Sequence, residues 1–204
     1  MAKVFPIQTN FTAGQLSPRL HGRVDINKYN NGLKTQKNAY SLPHGGVVRR
    51  GGFRYIAGVK TNSKKVRLVR FEFSVTQAYI IEFGDEYVRF YKDNGQIQSG
   101  GSAVEVATPY LEAELFDLYF AQSADTLYIA HPNHAPRKLT RSSHTSWTLA
   151  TLSFASAPSN FASGTGENPR CVTFFEERLY WAGTDNQPQT IWASKSGDFL
   201  NMDQ

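Results

Sequence analysis

From about residue 66 onward, apolar and polar residues alternate in short runs that are separated by turn residues. The run Val66–Phe73 alternates in this way, and the runs Ala78–Phe83 and Tyr87–Tyr91 flank the short turn segment Gly84–Glu86. A period of two with short turns is typical of half-buried strands joined in β-hairpins. The sequence therefore predicts a mainly β protein made of antiparallel hairpins, with short helices at most.

The hairpins recur along the chain. Tyr79, Leu127 and Leu179 occupy equivalent places in three strand–turn–strand units and lie 48 and 52 residues apart. A loose repeat of this length with three or four strands per unit is typical of propeller blades, and an ordinary antiparallel sandwich is the alternative. Three units are fewer than the roughly four blades of the smallest propellers. The expected propeller is therefore incomplete, and its open strand edges need covering.

The first part of the chain lacks this pattern. It is rich in Gly, Asn and Pro, so residues 1–60 predict an irregular basic arm that docks on a partner, whereas residues 61–204 predict a β-repeat domain. Two short helices are expected, one over Asp25–Lys37 with Asp25 as its N-cap and one over Glu112–Tyr119. Hydrophobic residues make up 40% of the chain, which is enough for a packed core.

Charge is divided unevenly along the chain. Residues 1–70 contain 14 of the 22 Lys and Arg residues but one of the 17 Asp and Glu residues, a formal charge of +13. Residues 71–204 contain the remaining bases and acids, a formal charge of −8. A segment this basic either meets an anionic partner or has its charges held apart by solvent. The candidate partners are nucleic acid, a lipid surface and the acidic half of a neighbouring subunit.

Six bases are the candidate contact residues: Arg49, Arg50, Arg54, Lys64, Lys65 and Arg67. Such bases neutralise phosphates without reading a base sequence, and they can equally pair with acids at a subunit joint, so both roles stay open. The aromatic residues interleaved with them are Phe53, Tyr55, Phe71 and Phe73. Aromatic rings can stack on nucleic-acid bases, but the alternation of these four with charged residues favours a place in the core.

The residues that commonly carry chemistry form no catalytic constellation in the sequence. His131, His134 and His144 lie in a turn-rich segment without an HExxH helix, so we expect loop histidines and neither a metal ion nor a cofactor. Glu176 and Glu177 are adjacent between two strand patterns, which favours a solvated hairpin turn over a pair of catalytic carboxylates.

No targeting or membrane-spanning signal stands out. No apolar stretch approaches the roughly 18 residues of a membrane-spanning helix, and residues 1–10 lack the apolar region of a signal peptide. We therefore expect synthesis in the cytosol without a membrane span. The single cysteine, Cys171, excludes an internal disulfide, fits a reducing compartment and is expected to be a small buried residue.

Several segments occur in an order that is typical of one family. They are Phe5–Leu20, Gly22–Tyr29, Leu42–Arg50, Phe120–Ala130, Phe174–Thr184 and Pro188–Phe199. The first contains FTAGQLSPRL and the third is LPHGGVVRR. Together these segments resemble the tail proteins of short-tailed bacteriophages, namely the tail nozzle, also called tail tubular protein B, and the packaged-DNA stabilisation proteins. The resemblance covers nearly the whole chain.

The resemblance implies a structural role rather than an enzymatic one. Nozzle proteins form a ring, commonly a hexamer, below the portal and adaptor of the virion, and their propeller-like domains surround the channel that retains and releases the DNA genome. We therefore expect a virion component, assembled in the bacterial cytoplasm, whose partners are its own copies, portal and adaptor proteins and double-stranded DNA. Family members are usually much longer, so the chain is a fragment, a truncated gene product or a short relative.

Two other functions remain open. A carbohydrate-binding β module for host attachment would use Trp147, Trp181 or Trp192 as exposed sugar platforms, although tryptophans are more often core residues. A tail-associated hydrolase would need a catalytic motif, and the sequence contains no G-x-S-x-G nucleophile turn.

Overall fold

The computed structural model describes residues 7–203. The chain divides into two compact units, Met1–Tyr55 and Ile56–Gln204, which are called here the N-terminal unit and the β unit. Three antiparallel sheets make up most of the β unit, so the prediction of a mainly β protein built from antiparallel hairpins is confirmed. The helical elements of the described residues are three 3₁₀ turns of three residues each.

The N-terminal unit contains two short strand pairs. Its described elements are β1 (Gly14–Gln15), a 3₁₀ turn (Pro18–Leu20), a second 3₁₀ turn (Tyr29–Asn31), β2 (Gly32–Leu33), β3 (Ala39–Ser41) and β4 (Val47–Arg49). β1 pairs in parallel with β2, and β3 pairs antiparallel with β4.

The helix expected over Asp25–Lys37 is wrong, because the structure forms a single 3₁₀ turn there. Asp25 does not cap a helix, since its carboxylate accepts hydrogen bonds of 2.8 and 2.7 Å from the guanidinium group of Arg23. The chain then leaves the 3₁₀ turn at Gly32 to begin β2. The ion pair with Arg23 thus takes the Asp25 carboxylate away from the N-cap role, and extended backbone at Gly32 ends the 3₁₀ turn.

The β unit consists mainly of three meander sheets. The first sheet contains β5 (Arg67–Ser74), β6 (Gln77–Gly84), β7 (Tyr87–Lys92), β8 (Gly95–Gln96) and β11 (Glu105–Ala107). Between β8 and β11, a separate small hairpin is formed by β9 (Gln98–Ser99) and β10 (Ser102–Ala103). The order across the first sheet is β11-β7-β6-β5, with β8 paired to β7.

The second and third sheets follow in chain order. The second contains β12 (Tyr119–Ser123), β13 (Thr126–His131), β14 (His134–Arg141) and β15 (Trp147–Thr151). The third contains β16 (Cys171–Phe175), β17 (Arg178–Ala182) and β18 (Ile191–Ala193). Consecutive strands are neighbours in both sheets, and all these pairs are antiparallel.

The helix expected over Glu112–Tyr119 is also wrong. A 3₁₀ turn at Glu112–Glu114 stands in its place, and Tyr119 begins β12. The Glu114 carboxylate accepts a 3.0 Å hydrogen bond from the backbone N–H of Leu111, which closes the turn on itself. Apolar residues of this segment pack into the core without forming a helix, since Leu115 and Leu118 are both buried.

The second sheet is packed on both faces. Along β13, Leu127 and Ile129 point into a core shared with the first sheet, whereas Tyr128 and Ala130 point into a core shared with the third sheet. This alternation follows from the two-residue period of a strand. The β unit is therefore a face-to-face stack of three meander sheets.

The positions predicted to be equivalent fall in equivalent strands. Tyr79, Leu127 and Leu179 lie in β6, β13 and β17, the second strand of each sheet, and all three are buried. The blades of a propeller are also meander sheets that pack face to face. Three sheets are, however, fewer than the roughly four blades of the smallest propellers. The propeller-like interpretation therefore stays a prediction.

Candidate functional site

The basic residues that the structure describes in the N-terminal unit are exposed. Within residues 7–55 these bases are Arg19, Arg23, Lys28, Lys34, Lys37, Arg49, Arg50 and Arg54. Asp25 is the one acid of this range, and its hydrogen bond with Arg23 holds the pKa of its carboxyl group below the usual value. The other seven bases therefore have no acid within residues 7–55 to pair with, and this range carries a formal charge of +7.

Three of the predicted contact residues lie close together in sequence at the end of this unit. Arg49 ends β4, and the backbone N–H of Arg50 donates a 2.8 Å hydrogen bond to the carbonyl of Asn38. The Arg50 guanidinium group stacks 4.4 Å from the ring centre of Phe53, a side chain that is 89% exposed. Residues 49–54 thus present an exposed arginine–aromatic surface, called here the arginine segment.

Within residues 7–55, the N-terminal unit has local hydrogen bonds but no apolar core. Among residues 7–55, Gly45 is the one buried residue, while Ile7, Val24, Phe53 and Tyr55 are largely exposed. Burial of apolar side chains is the main term that offsets the entropy lost on ordering a chain. A unit without such burial is therefore expected to gain much of its stability from a partner surface.

Four of the five bases in residues 60–70 behave differently, because their charged groups contact other groups of the β unit. Lys60 pairs with Glu105 at 2.6 Å, Lys64 with Asp85, and Arg70 with Glu72 at 2.7 Å. The excess charge that the sequence shows up to residue 70 thus has two parts. One part is matched by acids within the β unit, and the other part is exposed in the N-terminal unit.

Arg67 is partly buried and makes its contacts within the β unit. Its guanidinium group donates hydrogen bonds of 2.9 and 2.8 Å to the carbonyls of Leu115 and Leu118, and it lies 5.0 Å from the ring centre of Phe120. Partial burial lowers its pKa. For Lys65, the backbone N–H donates to the Glu112 carboxylate at 2.8 Å, and the side chain is exposed.

The six predicted contact residues therefore divide evenly between the two units. Arg49, Arg50 and Arg54 are exposed in the N-terminal unit, whereas Lys64, Lys65 and Arg67 belong to the β unit. Lys64 and Arg67 make internal contacts with their charged groups. The arginine segment and the exposed side chain of Lys65 are thus the parts of the predicted set that are free to meet another molecule.

Replacing Arg67 by methionine is expected to lower the free energy of unfolding of the β unit by about 1.5–3 kcal/mol, because two carbonyls lose a charged donor. Urea denaturation followed by circular dichroism measures this loss. The matched control is Lys65→Met, which removes an exposed ammonium group and should change the stability by less than about 0.5 kcal/mol. A fully stable Arg67→Met protein that fails to assemble would instead assign Arg67 to an intermolecular contact.

The four aromatic residues interleaved with the bases were predicted to lie in the core, and this is right for one of them. Phe71 is fully buried, but Phe53 and Tyr55 are exposed in a stretch without strand pairing. Phe73 is 38% exposed because a register irregularity between Glu72 and Ser74 interrupts the alternation of β5. Its ring instead packs against the guanidinium group of Arg141, 4.0 Å away.

Other sequence interpretations have mixed outcomes. Trp147, Trp181 and Trp192 are buried, as expected of core tryptophans, so none of them is an exposed sugar platform. Glu176 and Glu177 form the two-residue turn between β16 and β17, as expected. The interpretation of Cys171 as a buried residue is wrong, because it begins β16 with an exposed side chain.

The structure contains two polar clusters that the sequence analysis did not predict. Glu82 is buried, and its carboxylate accepts hydrogen bonds from the hydroxyls of Tyr87, at 2.6 Å, and of Tyr91. Burial, together with its hydrogen bond to Glu82, raises the pKa of Tyr91 to about 12. The alternation of β6 and β7 could have indicated that these three side chains share a sheet face, since Glu82 pairs with Arg89 between the two tyrosines.

The second cluster contains two of the histidines noted in the sequence. His131 and His134 lie beside Glu114, whereas His144 is elsewhere and bonds through Nδ1 to the hydroxyl of Tyr79 at 2.6 Å. Burial lowers the pKa of His131. Burial acts to raise the pKa of Glu114, but hydrogen bonds from Leu111, His134 and Asn133 outweigh it and hold this pKa at about 2.

Comparison of the chain with models of known protein families and with curated proteins gave no match. Within residues 7–203, no helix is long and apolar enough to cross a membrane.

Proposed function

We propose that the chain is a structural subunit of a bacteriophage tail, of the nozzle type, that assembles into a ring through its N-terminal unit. The observation that carries this proposal is the character of that unit, which combines seven unpaired exposed bases with the absence of an apolar core in residues 7–55. An ordered but coreless basic segment is suited to docking on another molecule rather than to standing alone.

The acidic partner can be another copy of the chain. The β unit contains 16 acids and 13 bases, a formal charge of −3, so it is complementary in sign to the N-terminal unit of a neighbour. Complementary charge steers association and fixes its register. A head-to-tail contact of this kind closes into a ring when the rotation between copies permits it.

The β unit supplies rigidity and a second surface that needs covering. Its stacked sheets bury two aromatic-rich cores. The outer face of the third sheet leaves Phe175 and Ile191 more than 60% exposed, next to the exposed Cys171. Exposed apolar patches of this kind commonly mark contact surfaces, which supports an assembled state.

The ring would surround and brace a DNA conduit, and its further partners would be the portal and adaptor proteins of the virion. A conduit must let the duplex slide, and strong phosphate contacts along its wall would hold the genome back. For this reason we place the arginine segment at the joints between subunits. Contact with DNA is then weak, independent of sequence and dependent on salt.

Binding of a fluorescent 40-base-pair duplex, measured by anisotropy at 50 and 200 mM salt, tests the conduit. We expect weak binding that is the same for unrelated sequences and that falls by less than about tenfold over this range, because few phosphates are neutralised. A loss of about a thousandfold or more would indicate many phosphate contacts, and it would make the protein a tight DNA binder instead of a conduit.

A further inference from the structure

The hairpin between β13 and β14 places two histidines side by side. His131 ends β13, His134 begins β14, and the two are register partners across a two-residue turn. Side chains at paired positions of antiparallel strands lie on the same face and close together. The two imidazole ring centres are accordingly 5.1 Å apart.

A carboxylate completes the group. Oε2 of Glu114 lies 2.8 Å from Nε2 of His134, and one donor atom from each of Glu114, His131 and His134 lies within 4.8 Å of the other two. The Glu114 carboxylate is also held in place by the N–H of Leu111 at 3.0 Å and by the side-chain amide of Asn133 at 3.1 Å. The donor atoms are thus positioned before any ligand arrives.

The surroundings hold this group in place, with His131 buried and with Glu114 and His134 partly buried. The buried ring of Tyr110 packs against both imidazoles, with ring centres 6.3 Å from His131 and 5.1 Å from His134. The Glu114 turn precedes β12, while the histidines lie in the next hairpin of the same sheet. A ligand shared by the three residues would therefore tie this turn to the β13–β14 hairpin.

One atom of the group lacks a partner. His131 is 2% exposed, and its Nδ1 accepts a 3.1 Å hydrogen bond from the N–H of Asn133. Its Nε2 is buried without a hydrogen-bond partner among residues 7–203. Buried polar atoms of native proteins are nearly always satisfied by protein, water or a ligand, so this histidine points to a ligand that completes the site.

We propose that Glu114, His131 and His134 bind one divalent transition-metal ion, and that zinc is the preferred ion. Two imidazole nitrogens and one carboxylate oxygen are a donor set that zinc accepts in tetrahedral geometry, with the fourth position left for water. Coordination through Nε2 of His134 requires the ring proton to sit on Nδ1, so the ion takes the place of the hydrogen bond between His134 and Glu114. Coordination through Nε2 of His131 likewise moves its proton to Nδ1 and gives up the bond from Asn133.

Calorimetric titration of the metal-stripped full chain with zinc chloride tests the site. We expect one ion per chain, and an increase in Tm of at least a few degrees when zinc exceeds its Kd a hundredfold. Cobalt(II) is the second probe, because its visible absorption reports the geometry of bound nitrogen and oxygen ligands. Neither readout depends on assembly or on DNA, so the metal site and the proposed tail function stand or fall separately.

Glu114→Gln and His134→Ala are the informative variants. The first keeps the shape of the side chain and most of its hydrogen bonds, and the second changes a half-buried residue, so both should fold. Each is expected to weaken zinc binding at least tenfold, whereas the control His21→Ala, an exposed histidine of the N-terminal unit, should leave it unchanged. Two results would overturn the proposal. The first is that the unaltered chain binds no stoichiometric zinc at about 100 μM, a concentration on the order of the Kd of a weak protein site. The second is that His134→Ala binds zinc as tightly as the unaltered chain.

Discussion

Replacing Trp147 by alanine is expected to lower the free energy of unfolding of the β unit by about 3–5 kcal/mol. Trp147 belongs to the second sheet, yet its ring stacks on Phe90 of the first sheet with centres 4.1 Å apart and meets Phe71 and Tyr79 edge-on at 5.1 and 5.4 Å. Its indole N–H donates to the carbonyl of His144 at 3.1 Å. The substitution therefore removes the main aromatic link between two sheets.

Urea denaturation followed by tryptophan fluorescence and circular dichroism measures this loss. Phe175→Ala is the matched control, because it also truncates an aromatic residue but one that is 62% exposed on the third sheet, and it should cost less than about 0.5 kcal/mol in the monomer. A loss below about 1 kcal/mol for Trp147→Ala would mean that the sheets are not held together by this core.

Reversing the charge of the arginine segment is expected to abolish assembly. The triple variant Arg49→Glu, Arg50→Glu, Arg54→Glu changes the charge of the N-terminal unit by six, and it removes the stacking of Arg50 on Phe53. All three side chains are exposed, so the unfolding transition of the β unit should stay unchanged. Sedimentation velocity then shows monomers where the unaltered chain shows a larger particle.

The control for this variant is a second triple reversal in the same unit, at Lys28, Lys34 and Lys37. These bases are also exposed, so the change in net charge is identical while the arginine segment is kept. We expect this control to assemble, with a slower association rate because the overall attraction is weaker. Arginine-segment variants that assemble normally and lose affinity only for DNA would place these residues on the nucleic acid instead of at the joint.

The hairpins of the β unit were predictable because strand periodicity is local. Alternation in Ala78–Phe83 and Tyr87–Tyr91 indicated a hairpin, and the structure forms it from β6 and β7. The equivalent places of Tyr79, Leu127 and Leu179 were predictable for the same reason. A two-residue period also fixes which face each side chain joins, so the burial of Phe71 followed from it.

The roles of individual charged residues were not predictable, because they depend on partners far away in sequence. Arg67 meets carbonyls 48 and 51 residues further on, and Lys64 pairs with Asp85. No pattern near residue 64 or 67 carries that information. The expected core role of Phe73 failed for a different reason, since one register irregularity in β5 is enough to turn a side chain outward.

The cluster of Glu114, His131 and His134 was not predicted, for one local reason and one long-range reason. As a linear metal motif, the spacing His131-x-x-His134 is a weak signal. In a two-residue hairpin the same spacing becomes a cross-strand pair, which the turn residues Pro132 and Asn133 could have suggested. Glu114, however, comes from a separate 3₁₀ turn, and no local signal links it to the hairpin.

The mass of the particle formed by the unaltered chain in solution, followed by electron microscopy, tests the proposed assembly most directly. We expect a closed ring with a mass several times the 22.9 kDa of one chain, and about six times that mass if the nozzle-like resemblance extends to stoichiometry. A strict 22.9 kDa monomer at low salt that neither binds duplex DNA nor joins an adaptor ring would contradict it.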